Sequence, residues 1–204
     1  LKTSNAKLIF LQRRLPELPG TLVGIDYRQG IFDAVKHICD SGYRRVIFLQ
    51  NESPFEIRNW RRNYFFEALE AYKMPGENKV LPDNKFPIGD NIFLILEKEK
   101  ESPIAYLCDN DGLALELLDA AREQGIKIPE QAGVITTTDH LLLGHLRLSR
   151  ITWPKLSSLR IDYTAQGKLA VQYIANMIET NKPEKDIQLP LPLFINQSTQ
   201  TTKE

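Results

Sequence analysis

The sequence has little of what marks a membrane protein or a DNA-binding surface. No uninterrupted apolar run is long enough to span a bilayer, and the N-terminus shows no charged-then-apolar leader. The 26 basic residues are balanced by 26 acidic ones, so the net charge is +0. A domain that binds the phosphates of DNA usually carries an excess of basic residues. We therefore expect a protein that does not enter membranes and does not bind DNA through this segment.

Cysteine is also scarce, since only Cys39 and Cys108 occur and they form no CxxC pair. Each lies in an apolar context, one late in a predicted helix and the other at the end of a predicted strand. This pattern predicts two buried free thiols, which suits a reducing cytoplasm.

The common catalytic and nucleotide-binding motifs are absent: there is no GxGxxG, GxxxxGK[ST], GxSxG or HExxH. His140 and His145 form a His-x4-His pair, but on a loop this is a weak metal pattern, and surface or interface histidines are commoner. We therefore expect no catalytic residue, no metal ligand and no cofactor. One enzymatic alternative stays open, an α/β enzyme that uses the carboxylates of Asp109, Asp111 and Asp139.

What the sequence does contain is a regular alternation of short β-rich runs and helical periodicity, which is typical of parallel α/β folding. The predicted strands lie at 7–11, 22–26, 46–50, 79–81, 104–108 and 133–136. The predicted helices run from just after Gly30 to Gly42, across an apolar stripe from Trp60 to Tyr72, and over 91–100, 112–124 and 162–180. The pattern predicts a doubly wound sheet with its ligand site beyond the carboxyl ends of the strands.

One of these strand ends carries an unusual polar group, "CDND", in which Asn110 stands between Asp109 and Asp111. Asp111 is expected to serve the following helix as an N-cap or a first-turn acid. Asn110 has two interpretations: its amide could face a crevice and bind hydroxyl groups, or it could be a turn residue.

Five segments resemble, in order, the effector-binding domain of the lactose-repressor (LacI) family. They are "VGIDYRQGIFDAVKHICDSGYRRVIFL", "RRNYFFEAL", "CDNDGLALELLDAAREQGIKIPEQAGVITTTD", "LSSLRIDYTAQGKLAVQYI" and "INQST". The resemblance implies a periplasmic-binding-protein type 1 fold, in which two α/β lobes built on parallel sheets are joined by three crossovers. It assigns 1–27 to a remnant of the N-terminal lobe, 28–158 to a nearly complete C-terminal lobe, 159–185 to the return helix and 186–204 to a closing segment and tail.

The same resemblance implies a set of ligand-binding residues, carried over position by position. Arg61 stands where the family has an arginine that holds sugar hydroxyls, although an exposed arginine that caps a turn is an alternative. Departures from the family pattern occur at Gln12 and Thr138, which stand where the family has an aspartate. Two more occur at Ile161, where some relatives have a glutamine, and at Tyr64, which replaces a glycine on the first turn of its helix. The expected ligand-binding residues are Gln12, Arg61, Phe86, Asn110, Thr138 and Asp139.

The function implied by the resemblance is ligand sensing in a transcription regulator. A small molecule, in this family usually a sugar, would bind in the interlobe cleft and modulate DNA binding by a headpiece that is not present in this chain. The resemblance also implies a cytoplasmic homodimer. Its candidate interface is an apolar stretch that could equally be a core loop: Leu141, Leu142, Leu143, Leu146 and Leu148. The alternatives are a sugar-binding receptor of an uptake system and a purely structural dimerisation module.

Overall fold

The computed structural model describes residues 6–15, 17–52, 56–82, 92, 95–96, 103–142 and 146–199. The chain divides into two compact units. Unit 1 consists of Leu1–Tyr27 and Ile161–Leu191, and unit 2 of Arg28–Arg160 and Pro192–Glu204. The expected closing segment, 186–204, is thus shared between the two units.

Strands and helices alternate through most of the described chain. The strands are β1 (Ile9–Leu11), β2 (Thr21–Ile25), β3 (Arg45–Asn51), β4 (Gly76–Leu81), β5 (Ile104–Cys108), β6 (Ala132–Thr136), β7 (Leu141–Leu142), β8 (Leu146–Arg147), β9 (Ser157–Leu159), β10 (Ile187–Leu189) and β11 (Leu193–Phe194). The helices are α1 (Tyr27–Asp40), α2 (Glu56–Tyr72), α3 (Asp111–Glu123) and α4 (Tyr163–Thr180). Of the predicted helix 91–100, only residues 92, 95 and 96 are described, and they are helical.

Unit 1 is built on a parallel three-stranded sheet in the order β1-β2-β10. Helix α4 begins after Asp162, whose carboxylate accepts a hydrogen bond from the Ala165 N–H at 2.8 Å and so caps the helix. It is tied to the sheet by Gln166, whose side-chain amide donates to the Val23 carbonyl at 2.8 Å. Of the apolar side chains on α4, only Met177 is buried.

Unit 2 is built on a six-stranded sheet in the order β11-β9-β6-β5-β3-β4, in which only β11 is antiparallel. This sheet confirms the predicted parallel α/β fold. Its central strand, β5, is buried along its whole length, as a strand covered on both faces should be. The largest fully buried side chains of the sheet include those of Phe48, Tyr106 and Leu107.

The register of unit 2 places the carboxyl ends of three neighbouring strands side by side. Cys108, the last residue of β5, pairs with Leu49 of β3 on one side and with Thr136 of β6 on the other. Two further bonds continue this alignment past the strands, from the Asp109 N–H to the Leu49 carbonyl and from the Thr137 N–H to the Cys108 carbonyl. The polar residues that follow the three strands are therefore gathered at one edge of the sheet.

Two helices differ in detail from their sequence-based predictions. Helix α1 begins at Tyr27, so that Gly30 lies inside it, and ends before Gly42, whose φ of +82° is favourable only for glycine. Helix α2 begins at Glu56, which places Tyr64 in its third turn and not in its first. The apolar stripe predicted on α2 from Trp60 to Tyr72 is not buried along its whole length, because Trp60 is 40% exposed.

The prediction of two buried thiols is wrong for Cys39, which is exposed. The buried face of α1 contains Ile31, Ala34, Val35 and Ile38, and Cys39 lies about 100° around the helix from Ile38. Cys108 is buried, and this burial raises the pKa of its thiol. Within the described helices, none combines the length and the apolar character needed to cross a bilayer.

Candidate functional site

The most heavily charged group at the strand ends of unit 2 is centred on a buried carboxylate. One oxygen of Asp109 lies 2.8 Å from Nη1 of Arg61, and the other lies 3.1 Å from Nε of Arg58. Arg61 Nη1 also donates to the backbone carbonyl of Asp109 at 2.9 Å and to the hydroxyl of Thr137 at 3.1 Å. Arg61 is only 8% exposed, so it does not cap a solvent-facing turn.

The two arginines reach Asp109 because they lie on one face of α2. They are three residues apart, a spacing that puts side chains one above the other on a helix. Arg58 also donates to the backbone carbonyls of Asn51 and Glu52, at 2.6 and 3.1 Å, and so ties the start of α2 to the end of β3. Asp109 therefore fixes the position of the Arg61 guanidinium before any ligand arrives.

Asn110 uses both ends of its side-chain amide for contacts within the protein. It is the N-cap of α3, where its carbonyl oxygen accepts from the Leu113 N–H at 3.1 Å. Its Nδ2 donates to the carbonyl oxygen of Asn51 at 3.1 Å. Among the residues that the structure describes, the Nδ2 of Asn51 makes no hydrogen bond, and Asn51 is 6% exposed. We refer to Asn51, Arg58, Arg61, Asp109 and Asn110 as the strand-end cluster.

Asp111, the first residue of α3, is not its N-cap but a buried first-turn acid. One of its oxygens accepts from the Thr138 hydroxyl at 2.6 Å and from the Thr136 hydroxyl at 3.2 Å. The other oxygen contacts Nδ1 of His140 at 2.6 Å and accepts from the His140 N–H at 2.9 Å. Thr138 is therefore directed at Asp111, beside the strand-end cluster.

Asp139 belongs to a separate set of contacts. Its Oδ1 accepts from the Ser149 N–H at 3.1 Å, and its Oδ2 accepts from the Ser149 and Ser158 hydroxyls at 2.8 and 3.1 Å. Oδ2 also lies 2.8 Å from Nε of Arg160. Both oxygens of Asp139 are thus used within the protein, to join the segment that follows β8 to β9.

The predicted ligand residues are therefore only partly brought together. Arg61 contacts Asp109, the residue before Asn110, and Thr138 contacts Asp111, the residue after it, whereas Asp139 has its own partners. Gln12 lies in unit 1, has a φ of 64°, and contacts the Tyr27 hydroxyl at 3.5 Å. Phe86 lies outside the described residues, as do His145 and Leu143. The predicted ligand roles of these residues stay predictions.

Sequence reasoning missed Asn51, Arg58 and His140. Asn51 could have been found, because the rule that drew attention to Asn110 applies equally to the polar residue at the end of β3. Arg58 could not, because its contact with Asp109 depends on where α2 passes over the sheet. Across the described ranges, no group of three or more His, Cys, Asp or Glu residues is arranged to hold a metal ion.

Comparison with known proteins supplies the family. The model of the periplasmic binding protein-like domain family matches residues 35–199. A curated relative, the NTD biosynthesis operon regulator NtdR of Bacillus subtilis, is 25% identical over 183 residues, which is 88% of this chain and 54% of the relative. This chain spans about half the length of the curated relatives it matches.

Solved structures agree with the fold. A LacI family transcriptional regulator from Arthrobacter sp. FB24 has a TM-score of 0.81 at 20% identity, covering 97% of this chain and 71% of that one. A second regulator of this family, from Enterococcus faecium and with bound ribose, has a TM-score of 0.78 at 23% identity, covering 97% and 72%. The chain belongs to the periplasmic binding protein-like domain family.

Proposed function

We propose that this chain senses a sugar for a LacI-family transcriptional regulator, and that the strand-end cluster forms unit 2's part of the binding site. The observation that carries the proposal is the arrangement at the strand ends, where Asp109 holds the Arg61 guanidinium in place and the amides of Asn51 and Asn110 are hydrogen-bonded to each other. Sugar hydroxyls both donate and accept hydrogen bonds. A site that combines a guanidinium with two amides can meet both needs.

The contacts of the cluster are compatible with a polar, uncharged ligand. Asp109 already neutralises one of the two arginines, so the cluster offers directed hydrogen bonds more than a large net charge. A hydrogen bond from a charged donor such as Arg61 contributes about 1.5–3 kcal/mol. A few such bonds, with a hydrophobic contact to the ring face, would give micromolar affinity at about −8 kcal/mol.

The regulators with similar folds support the same ligand class. The Enterococcus faecium regulator was solved with ribose, and an Arthrobacter sp. FB24 regulator with lactose. Ribose and lactose are the ligands of those two regulators. For this chain they indicate which classes of sugar to test first. The proposal extends to a cytoplasmic regulator in which a headpiece outside this chain reads the operator.

Ligand binding would act on DNA through a shift between conformations. A ligand changes such an equilibrium only as far as its affinity differs between the two states. The interlobe cleft that the resemblance implies would supply this difference, with Gln12 on the unit 1 side and Arg61 on the unit 2 side. The roles of Gln12, Phe86, Thr138 and Asp139 in this cleft are part of the proposal.

We also propose that unit 2 forms a homodimer through Leu141, Leu142, Leu143, Leu146 and Leu148. The segment just after this stretch supports the proposal, because Trp153 is 82% exposed and Ile151 is 56% exposed. Large apolar side chains on a surface are typical of protein contacts. Trp153→Glu should convert a dimer to a monomer in sedimentation velocity, and an unchanged sedimentation coefficient would exclude this surface.

The experiment that tests the sensing proposal is a thermal-shift screen of pentoses, hexoses, sugar phosphates and nucleobases, repeated with Arg61→Lys. Lysine keeps the charge that Asp109 needs but loses the planar fork of donors. A sugar present at 100 times its dissociation constant should add about 2.7 kcal/mol of stability to the wild-type protein. The same sugar should add much less to the variant. No stabilising sugar in the panel would argue against the proposal.

An enzyme is the second candidate, because Asp111 orients His140 in the manner of a general base. The Asp111 Oδ2 to His140 Nδ1 distance is 2.6 Å, and the His140 side chain is 58% exposed. The nearby thiol of Cys108 does not supply a nucleophile, since burial raises its pKa. Turnover of a sugar derivative that is lost in His140→Gln and retained in Arg61→Lys would favour the enzyme over the sensor.

A further inference from the structure

A polar cavity lies in unit 2, and none of its lining residues belongs to the strand-end cluster. Its volume is about 510 Å³, and its lining residues come from the segment after β8 and from β11 and the residues that follow it. This volume falls within the range of about 300–1,000 Å³ that is usual for small-molecule sites. The residues that characterise its chemistry are Arg150, Lys155, Arg160, Phe194 and Asn196.

The cavity concentrates positive charge in a chain that has no net charge. Arg150 and Lys155 are exposed, and among the described residues their side chains form no ion pair or hydrogen bond. The carboxylate next to the cavity, Asp139, is already occupied by Arg160 and by two serine hydroxyls. Two of the three cations therefore lack a counter-charge within the described part of unit 2.

Arg160 is a rigid wall of this cavity. Its side chain is 11% exposed, its Nε binds Asp139 at 2.8 Å, and its Nη2 donates to the Ser149 hydroxyl at 3.3 Å. The guanidinium carbon lies 3.8 Å from the centre of the Phe194 ring. Burial lowers the pKa of Arg160, Asp139 opposes this, and the positive charges of Arg147 and Arg150 lower it further. An anion in the cavity would relieve this repulsion.

We propose that this cavity binds the phosphate group of a small phosphorylated metabolite. Phosphate oxygens accept hydrogen bonds from arginine and lysine at the same time, and the guanidinium fork fits them well. A phosphate group alone fills only a small part of about 510 Å³, so the remaining space suits an attached polyol. Asn196 would serve that part, because its Nδ2 is bound to the Leu156 carbonyl while its Oδ1 accepts no hydrogen bond from the described residues.

The site is independent of the sugar site proposed above. Its residues surround Asp139 and β11, whereas the strand-end cluster surrounds Asp109. A neutral sugar suits the strand-end cluster, and a phosphate group suits this cavity. Either proposal can therefore fail without the other.

The test is calorimetric titration with ribose 5-phosphate, inorganic phosphate and ribose at constant ionic strength. The double variant Arg150→Gln with Lys155→Gln removes the two unpaired cations, which are exposed and hold no structure together. The matched control, Arg44→Gln with Lys127→Gln, removes the same charges from exposed positions elsewhere in unit 2. All proteins are used as the full chain.

We expect ribose 5-phosphate to bind more tightly than inorganic phosphate, and about tenfold or more weakly to the double variant, as the loss of charge-assisted hydrogen bonds predicts. The control should bind like the wild type. Absence of saturable binding, equal weakening in variant and control, or loss of ribose 5-phosphate binding in Arg61→Lys but not in the double variant would each overturn the proposal. Equal affinity for inorganic phosphate and ribose 5-phosphate would overturn the part assigned to Asn196.

Discussion

Helix α3 of unit 2 and helix α4 of unit 1 have similar apolar patterns but very different environments. Seven of the 13 residues of α3 are buried, whereas only Gln166 and Met177 are buried among the 18 residues of α4. Val171 and Ile178 of α4 are each 67% exposed. An apolar pattern thus predicts that a helix forms, but not how much of it is covered.

The reason lies in the sheets against which the helices pack. Helix α3 lies on a sheet of six strands, while α4 lies on one of three strands that have three, five and three residues. A helix is stabilised mainly by tertiary packing, and so by the surface available to it. Unit 2 should therefore be the more stable unit, and unit 1 should open more easily.

The stabilities of the two units can be measured separately because only unit 2 contains tryptophan. Trp60 and Trp153 both belong to unit 2, and unit 1 has no tryptophan. Tryptophan fluorescence therefore follows the unfolding of unit 2, and amide hydrogen exchange follows both units at the level of segments.

The largest difference between the units should come from their ion pairs. Asp109→Ala leaves Arg58 and Arg61 of unit 2 without their buried partner and should cost about 3–5 kcal/mol in the denaturant transition seen by tryptophan fluorescence. In unit 1 the exposed pair of Arg14 and Asp186, 2.6 Å apart, is screened by water, so Arg14→Ala should cost about 1 kcal/mol or less by hydrogen exchange in β2. Equal costs would contradict the comparison.

The next effect concerns apolar packing. Leu117 of α3 is fully buried, and Leu117→Ala should lower the free energy of unfolding by about 2–5 kcal/mol because it removes packed methyl groups and leaves a cavity. Ile178→Ala on α4 should change the stability by about 0.5 kcal/mol or less. Denaturant titration measures the effect of Leu117→Ala, and hydrogen exchange of α4 measures the effect of Ile178→Ala. A large loss from Ile178→Ala would mean that a partner covers this face in solution.

The smallest effect is on pH dependence, and it should be confined to unit 2, since all three histidines lie there. Burial lowers the pKa of His37 below its ordinary 6.5, with Asp40 opposing the shift. As the pH falls from about 7.5 to about 5.5, His37 takes up more protons in the unfolded state than in the folded state, so the free energy of unfolding falls. His37→Gln should therefore lose less stability than the wild type between about pH 7.5 and about pH 5.5. An identical pH profile in both proteins would rule out this contribution.

The order of β1 to β6 and of the helices could be predicted from the sequence because each has a local signal, whereas β7, β8 and β9 are not predicted. Helix α4 was expected over 162–180 and runs from Tyr163 to Thr180, since Asp162 is a strong N-cap. Helix α3 differs from its prediction by one residue at each end, because Asn110 and not Asp111 is the cap. Local rules of this kind depend only on neighbouring residues.

The chemistry of the site could be predicted only in part, because it depends on contacts between distant segments. Asn110 and Arg61 are predicted as ligand-binding residues and both lie at the strand ends of unit 2, whereas Arg58 and Asn51 are not predicted. The contact between Arg61 and Asp109 joins residues 48 positions apart. Cys39 was misassigned because an apolar neighbourhood in sequence does not reveal on which side of a helix a residue lies.

The most direct test of the central claim is calorimetric titration of the wild-type protein and Asn110→Ser with the sugar that gives the largest thermal shift. Serine keeps the N-cap of α3 but removes the amide that would bind the ligand. Asp162→Ser, at the N-cap of α4, is the matched control in unit 1. The account predicts that Asn110→Ser weakens sugar binding about tenfold or more while the control binds like the wild type. Unchanged affinity in Asn110→Ser would contradict the assignment of the sugar site to the strand-end cluster.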